Sequence, residues 1–200
     1  MKLLDIAKKL PIDLGQGNLR YKTKGKLIAL GLVKQGKDKR ALDVGCREGI
    51  QSEFLKKKGY SVVPIDIEKK YKDCIIVDVN KKLPFKDASF DLIWCSEVIE
   101  HLDDPSKTIQ EFKRILKLGG EIILTTPNSY CLIFRFLSIF GLTPEKMQRE
   151  DHKYFFSEKD IVRLFPKAKL YGYFPYYIFK FKINKLVGLL SPTLVIYQKK

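Results

Sequence analysis

One stretch limits the fold of this chain more than any other: residues 40–49, which read R-A-L-D-V-G-C-R-E-G. The apolar run from Ala41 to Val44 predicts a short buried strand, Gly45 ends it, and Gly49 opens a helical pattern. A strand, a tight glycine turn and a helix at this spacing are typical of a nucleotide-type binding loop. The stretch therefore predicts a ligand site at the end of the first core strand.

Acidic residues in this loop argue against a pyrophosphate ligand. Asp43 lies two residues before Gly45, Glu48 lies within the loop, and Ser52 stands where the dinucleotide fingerprint has its third glycine. A dinucleotide loop presents backbone amides and a helix N-terminus to the pyrophosphate, and a carboxylate beside that anion is unfavourable. The loop disfavours a nicotinamide dehydrogenase and favours a cationic, phosphate-free ligand such as S-adenosylmethionine.

Two further predicted strands also end in aspartate. Residues 60–65 predict a strand that ends at Asp66, 17 residues past Gly49, which is close to the usual offset of an acid that binds a ribose diol. Residues 74–77 predict a strand that ends at Asp78. Because open α/β sheets bind ligands at the carboxyl ends of their strands, these aspartates predict one shared site.

Further motifs follow the loop along the chain. Residues 81–91 read K-K-L-P-F-K-D-A-S-F-D, residues 96–105 read S-E-V-I-E-H-L-D-D-P, and R-I-L-K-L-G-G leads to T-P-N at residues 126–128. With the loop, these motifs resemble the class I S-adenosylmethionine-dependent methyltransferases, closely over residues 40–128 and loosely elsewhere. The chain departs from the family's first motif, D-x-G-x-G-x-G, at Arg47, which replaces the middle glycine.

The resemblance implies S-adenosyl-L-methionine as cofactor and a role for each strand end. Asp66 would bind the ribose, and Asp78 with the backbone amide of Val79 would bind the adenine. Arg47 either points outward or meets the carboxylate of the ligand. The cofactor-binding residues implied in this way are Asp43, Gly45, Cys46, Arg47, Gly49, Asp66, Ile67, Asp78, Val79 and Ser96.

The two histidines of the chain, His101 and His152, are the candidate catalytic residues, since an oxygen acceptor must lose its proton. Glu97, Glu100 and His101 would share one face of a helix at spacings of three and four. With His152 they would offer two carboxylates and two imidazoles to a divalent cation. E-x-x-E-H followed by D-H-x-x-F is similar to small-RNA 2′-O-methyltransferases and to quinone-pathway O-methyltransferases.

Two alternatives to this metal set stay open. His152 can act as a general base or a substrate contact without a metal, because imidazole titrates near neutral pH. The E-H pair at residues 100–101 can also serve only to shape the site.

The alternating pattern predicts an α/β fold: a Rossmann-like, doubly wound, seven-stranded sheet, mostly parallel with an antiparallel terminal strand. We expect a single methyltransferase domain over residues 1–200. It would comprise an N-terminal helical cap (1–37) with helices near 3–10 and 21–35, a cofactor-binding half (38–128) and a substrate-side half with apolar insertions (129–200). Residues 118–120 would end the helix that begins at Ser106, and Ser157 would cap a later helix.

The net charge of +15 fits a nucleic-acid partner, an anionic membrane surface or a lysine-rich solvated surface. We favour the last, because the lysines are scattered in twos and threes. The apolar stretches 130–142 and 174–190 fit core packing, a pocket for an apolar acceptor or peripheral contact with a membrane. Four cysteines without C-x-x-C spacing predict free thiols, and no apolar run predicts a signal peptide or a transmembrane segment.

Together these features predict a cytoplasmic S-adenosylmethionine-dependent methyltransferase that acts on an oxygen of a small, apolar molecule by in-line displacement. One alternative is an RNA 2′-O-methyltransferase, which would bind nucleic acid. The other is a non-catalytic regulatory module that binds S-adenosylmethionine.

Overall fold

The computed structural model of the protein describes residues 23–174 and 180–200. The helix predicted near residues 3–10 lies outside the described residues. The strands are β1 (Arg40–Val44), β2 (Ser61–Asp66), β3 (Ile75–Ile76), β4 (Phe90–Ser96), β5 (Leu116–Pro127), β6 (Lys169–Phe174), β7 (Phe181–Ile183) and β8 (Thr193–Lys199). The helices are α1 (Lys24–Leu32), α2 (Ile50–Lys57), α3 (Pro105–Ile115), α4 (Leu132–Ile139), α5 (Pro144–Met147), α6 (Glu158–Leu164) and α7 (Val187–Leu190), with a short 3₁₀ helix at Ile99–His101.

The strands form one sheet in the order β3-β2-β1-β4-β5-β8-β6-β7. β1 is an interior strand, parallel to β2 on one side and to β4 on the other, while β8 runs antiparallel to β5 and to β6. Parallel strands covered on both faces read as continuous apolar runs, which is why β1 and β4 consist largely of buried residues. The doubly wound, mostly parallel α/β sheet predicted from the sequence is confirmed.

Helices cover both faces of the sheet. On one face α3 buries Ile109, Phe112 and Ile115 against the strands. On the other face α1 packs Ile28 and Ala29 into a cluster with strand residues. α3 begins where the side chain of Asp104 accepts a hydrogen bond from the Lys107 amide, with a proline at its first position, as helix starts favour. The sheet is thus packed between two helical layers.

Three details differ from the sequence prediction. The described residues form eight strands rather than seven, because Phe181–Ile183 pairs antiparallel with β6 as an extra edge strand. β5 begins at Leu116, which pairs with Phe90 of β4, so residues 118–120 lie within a strand and do not end a helix. The second predicted helix is shorter than expected and spans Lys24–Leu32. In the first two cases pairing with a distant strand decides the outcome, which local sequence does not reveal.

Other local predictions are met or described more closely. Ser157 caps α6 in a capping box with Asp160, as predicted from its position. The four cysteines are buried and free: Cys46, Cys74, Cys95 and Cys131. Among the helices of residues 23–174 and 180–200, none has the length and apolar character needed to cross a bilayer.

Candidate active site

A cavity of about 850 Å³ lies at the carboxyl ends of β1, β2, β4 and β5, where an open α/β sheet binds its ligand. Its volume is in the range of small-molecule and cofactor sites. Ten of the residues predicted from the sequence line it: Gly45, Arg47, Asp66, Ile67, Val79, Ser96, Glu97, Glu100, His101 and His152. The ligand site predicted at the carboxyl ends of the strands therefore coincides with this cavity.

The glycine loop after β1 is held in a conformation that requires its glycines. Gly45 has a φ of +73°, and a Cβ atom there would lie 2.5 Å from Cγ2 of Val98. Gly49 has a φ of +80°, and a Cβ atom there would meet the ring of Tyr71 at 2.4 Å. Arg47 also lies in the left-handed region, with a φ of +48°. The loop backbone thus passes close to the cavity wall and leaves no room for side chains at the two glycines.

Asp66, at the end of β2, fixes this loop and faces the cavity. Its Oδ2 accepts a hydrogen bond from the Arg47 amide at 2.9 Å, and its Oδ1 accepts one from the Glu68 amide at 3.3 Å. A carboxylate has about four lone-pair sites, so both oxygens keep capacity for a ligand hydroxyl. The ribose contact implied for Asp66 is compatible with this geometry.

Asp43 lies behind the loop rather than in the cavity wall. It is 1% exposed, and the hydroxyl of Ser52 donates to its Oδ2 at 2.5 Å. Burial, together with a smaller contribution from the nearby charge of Asp66, raises the pKa of the Asp43 carboxyl from 3.8 to about 7. The residue that replaces the third fingerprint glycine is therefore the partner of this buried acid.

Three other residues assigned to the cofactor, Cys46, Gly49 and Asp78, also do not line the cavity. Asp78 accepts a hydrogen bond from the Asn80 amide at 3.0 Å and lies 3.6 Å from the ammonium of Lys81. The next residues, Val79 and Asn80, face the cavity instead. A direct cofactor contact for these three residues stays a prediction.

The E-x-x-E-H segment does not form the helix that was predicted for it. β4 ends at Ser96, Glu97 has a φ of +56°, and only Ile99–His101 turns as a 3₁₀ helix. The Glu97 carboxylate accepts a hydrogen bond from the Thr125 hydroxyl at 2.8 Å. The prediction that Glu97 shares a helical face with Glu100 and His101 is wrong, because a tight left-handed turn follows the strand.

Glu100, His101 and His152 nevertheless come together. Their ligand atoms lie within 4.8 Å of one another, and the two imidazole rings meet edge to face with centroids 4.8 Å apart. Glu97, the fourth predicted ligand, is not part of this group. Glu100 is 1% exposed, and its Oε2 accepts a hydrogen bond from the Thr126 hydroxyl at 3.1 Å. Within the described part of the chain its Oε1 has no hydrogen-bond partner, and burial raises the pKa of this carboxyl well above its usual range.

Both histidines present the same nitrogen to the cluster. His101 Nδ1 lies 2.9 Å from the Asp151 carbonyl, and His152 Nδ1 lies 3.3 Å from Oε1 of Gln148. Each partner is an acceptor, so each Nδ1 donates a hydrogen, and the neutral ring of His152 keeps a lone pair on Nε2. Burial and the neighbouring His101 lower the pKa of His152 to about 4, so its ring is neutral at neutral pH.

Backbone hydrogen bonds bring His152 to the strand ends. The amides of Lys153 and Tyr154 donate to the Glu100 carbonyl at 2.8 and 3.0 Å. Sequence reasoning missed several cavity residues, among them Lys26 of α1, Asn80, Arg149 and Asp151. The proximity of Asp151 to His152 and of Asn80 to Asp78 could have indicated two of them, whereas nothing in the sequence marks Lys26.

The strand order, the glycine loop and the acidic strand ends define a class I methyltransferase. The chain belongs to the S-adenosylmethionine-dependent methyltransferase family: a family profile described as "Methyltransferase domain" matches residues 16–174. The family predicted from the motifs is thereby confirmed.

Curated relatives carry a more specific name. The chain is 31% identical over 121 residues to a protein named ubiquinone biosynthesis O-methyltransferase from Paracidovorax citrulli, covering 52% of this chain and 49% of that protein. A protein of the same name from Idiomarina loihiensis is 27% identical over 166 residues, covering 72% of this chain and 68% of that protein. The chain spans about half the length of the relatives that it matches at 31% identity, 49% and 45% in two cases.

Solved structures agree in fold. The chain is similar to a SAM-dependent methyltransferase from Archaeoglobus fulgidus with a TM-score of 0.66 at 17% identity, covering 91% of this chain and 97% of that one. It is also similar to an S-adenosylmethionine-dependent methyltransferase from Mesorhizobium loti, with a TM-score of 0.64 at 15% identity and coverage of 88% and 98%. At these identities the likeness supports the fold alone.

Proposed function

We propose that this protein transfers the methyl group of S-adenosylmethionine to an oxygen atom of a small, apolar molecule by in-line displacement. One observation carries the proposal: the cofactor loop and the cluster of Glu100, His101 and His152 line the same cavity. A methyl donor held at one end would thus face an acid–base cluster at the other. The name of the relatives, ubiquinone biosynthesis O-methyltransferase, supports an oxygen acceptor.

The cofactor end of the cavity fits a cationic adenosine compound. Gly45 lines the cavity without a side chain, so the loop backbone can approach a ligand closely there. Asp66 would hold the ribose hydroxyls, and the segment at Val79 and Asn80 would border the adenine. When bound, S-adenosylmethionine supplies a methyl group on a sulfonium with a good leaving group, so the protein's main task is alignment.

At the acceptor end His152 would remove the proton from the acceptor hydroxyl. Its Nε2 lone pair is free because Nδ1 donates to Gln148. His152 is only 9% exposed, so bulk water has little access to the base. A positioned general base of this kind typically contributes about 10²–10⁴-fold in rate.

Replacing His152 tests this role. We expect His152→Ala to lower turnover of a catechol or phenol acceptor by about 10²-fold or more, since the base is gone. Cofactor affinity by calorimetry should stay within about threefold, because His152 is assigned to the acceptor end. Lys153→Ala is the matched control, since its exposed side chain pairs only with Asp103 among the described contacts. Turnover that survives in His152→Ala would make His152 a structural residue.

We further propose that Glu100, His101 and His152 can hold a divalent cation. Two imidazole Nε2 atoms and one carboxylate are a donor set that transition metals bind, and Oε1 of Glu100 is a buried oxygen with no hydrogen-bond partner among the described residues. Such an ion would occupy the Nε2 lone pair of His152, and it would then activate the acceptor hydroxyl in place of His152 by lowering the pKa of that hydroxyl. Glu97 is left out of this set, because its ligand atoms do not belong to the group that lies within 4.8 Å.

Calorimetric titration of the chelator-treated protein with Zn²⁺ or Mn²⁺ tests the cation site without an activity assay. We expect one saturable site that is lost in Glu100→Gln and kept in Glu97→Gln. If the protein binds no cation, or if Glu97→Gln alone abolishes binding, the three-residue site is rejected. Activity that is indifferent to chelator would leave His152 acting as base alone.

Two rival functions have distinct signatures. An RNA 2′-O-methyltransferase would bind RNA with an affinity that falls steeply with salt, since each phosphate contact releases counterions. A non-catalytic regulatory module would bind the cofactor but methylate no acceptor in a broad screen. A shallow salt slope together with turnover of a small phenolic acceptor would exclude both.

A further inference from the structure

Helix α4 presents an unusual outer face. Leu132, Phe136, Ile139 and Phe140, at the helix and its C-terminal end, are between 52% and 77% exposed. At 100° per residue these four side chains fall within an arc of about 100°, so they form one contiguous stripe. Large apolar side chains scattered singly on a surface need no explanation, but a contiguous stripe marks an interaction site.

The opposite side of α4 anchors the helix. Phe134 is buried together with Cys131, Leu142 and Met147 in a small cluster of its own. This cluster links α4 to α5, so residues 131–147 form a helical hairpin with a small core of its own. The four exposed side chains of the stripe lie on the side of α4 opposite this core, so they are not needed to pack the hairpin.

Exposed apolar side chains also occur at α7, next to α4. α4 contacts α7, and Leu189 shares a cavity of about 480 Å³ with Tyr130 and Arg135 at the base of α4. Leu186 and Leu189 are themselves exposed, at 66% and 37%. We call the surface made by Leu132, Phe136, Ile139, Phe140, Leu186 and Leu189 the apolar face.

Positive charge accompanies the apolar face. The two segments that carry it, residues 130–142 and 180–190, contain Arg135, Lys180, Lys182 and Lys185 and no acidic residue, although the chain has 23 acidic residues in all. Two carboxylates, Glu158 and Asp160, border the cavity beside the face, together with the exposed Lys159. Both are engaged internally, since Glu158 accepts from the Gly188 amide and Asp160 from the Ser157 amide.

We propose that the apolar face docks onto the surface of an anionic phospholipid bilayer. Aromatic and aliphatic side chains on one side of a surface helix, with cations beside them and the two neighbouring carboxylates engaged internally, match the boundary between acyl chains and negative headgroups. A second copy of the chain fits less well, because two molecules of net charge +15 would bring these cations together.

This surface also lies near the candidate active site along the chain. Ser129, just before α4, and His152, just after the hairpin, share Gln148 as hydrogen-bond partner. Docking of the hairpin would therefore hold the acceptor end of the cavity close to the bilayer. The docking itself requires neither cofactor nor methyl transfer, so it can stand if the proposed activity fails.

Vesicle flotation with the whole chain tests the proposal. We expect the protein to float with vesicles of phosphatidylcholine and phosphatidylglycerol and to bind at least tenfold less to phosphatidylcholine alone. The triple variant Phe136→Ser, Ile139→Ser, Phe140→Ser should bind anionic vesicles at least tenfold more weakly, because the apolar insertion is removed. Lys182→Gln with Lys185→Gln should bind more weakly at low salt, where headgroup attraction is least screened.

Control variants test whether a loss of vesicle binding is specific to the apolar face or follows from losing any exposed apolar or charged side chain. The triple variant Ile76→Ser, Leu118→Ser, Val162→Ser removes three equally apolar, exposed side chains elsewhere and should float like the wild type. Lys57→Gln with Lys86→Gln removes two surface charges elsewhere and serves the same purpose. Thermal melting confirms that each variant is folded. The proposal is overturned if the wild type does not float, if both triple variants behave alike, or if light scattering shows a dimer that only the α4 variant dissociates.

Discussion

Asp43 is a buried carboxyl group beneath the cofactor loop, and it should make stability depend on pH. Its pKa is about 7 in the folded chain against 3.8 ordinarily. Below pH 3.8 the Asp43 carboxyl is protonated in both the folded and the unfolded chain, so its ionisation does not lower the free energy of unfolding. As pH rises towards 7 the unfolded chain ionises first, so the free energy of unfolding falls, by up to about 4 kcal/mol, and then levels off.

Asp43→Asn tests the predicted direction of this pH dependence in the cofactor-free protein. An amide oxygen can still accept the Ser52 hydroxyl but cannot ionise, so the variant should gain about 1–4 kcal/mol over the wild type between pH 4 and pH 8. Urea unfolding at several pH values measures the difference. Asp87→Asn, which removes a carboxylate that is 79% exposed, is the control. A difference between Asp43→Asn and wild type that stays constant with pH would contradict the buried, raised pKa.

Single residues at the strand ends were predictable, and their partners were not. Asp66 and Gly45 could be placed from the sequence because strand ends and tight turns have local signals. The contact of Ser52 with Asp43 and the contribution of Lys26 to the cavity depend on tertiary packing, so neither has a local signal. His152 was predicted as a site residue from its chemistry and from the D-H-x-x-F motif, whereas the backbone bonds from Lys153 and Tyr154 to Glu100 join residues about 50 positions apart and have no local signal.

The turn between β1 and α2 should be the element least tolerant of a methyl group. Gly45→Ala places a Cβ atom 2.5 Å from Cγ2 of Val98 in a left-handed conformation, so we expect a loss of about 1–3 kcal/mol in stability and weaker cofactor binding. Gly31→Ala, in α1, meets no atom of the described residues within 4 Å and should instead stabilise by about 0.4–1 kcal/mol. Urea unfolding and calorimetry measure both effects.

A second substitution separates the steric contact with Val98 from the backbone strain at Gly45. In Gly45→Ala with Val98→Ala the contact with Cγ2 is gone, whereas the backbone strain persists, so stability should recover only in part. Full recovery would mean that the loop conformation itself costs nothing, and no recovery would assign the whole loss to backbone strain.

Whole elements were predictable where pattern and pairing agree. β1, β2 and β4 have apolar runs and lie in the middle of the sheet, and the cap of α6 at Ser157 follows a local rule. Two elements were not predictable. Residues 97–101 have a helical spacing but follow a strand through a left-handed turn at Glu97. β7 has only three residues, and it is a strand only because it pairs with β6.

The whole molecule should respond to its cofactor as one unit, because the cavity joins the loop, the ends of four strands and the segment before His152. S-adenosylmethionine at 100 times its dissociation constant should raise the free energy of unfolding by about 2.7 kcal/mol. Asp66→Asn should lose most of that increment at the same concentration, since one oxygen fewer remains for the ribose.

Comparing unfolding with and without ligand distinguishes binding from folding at Asp66. If Asp66 served only to hold the Arg47 amide, Asp66→Asn would be less stable alone yet would keep the full increment with S-adenosylmethionine. Asp87→Asn, which removes an exposed carboxylate, should keep both the stability without ligand and the increment with S-adenosylmethionine. NAD is the ligand control: its pyrophosphate would lie beside acidic strand ends, so it should give no increment. An increment with NAD and none with S-adenosylmethionine would contradict the assignment of this cavity to a cationic, phosphate-free ligand.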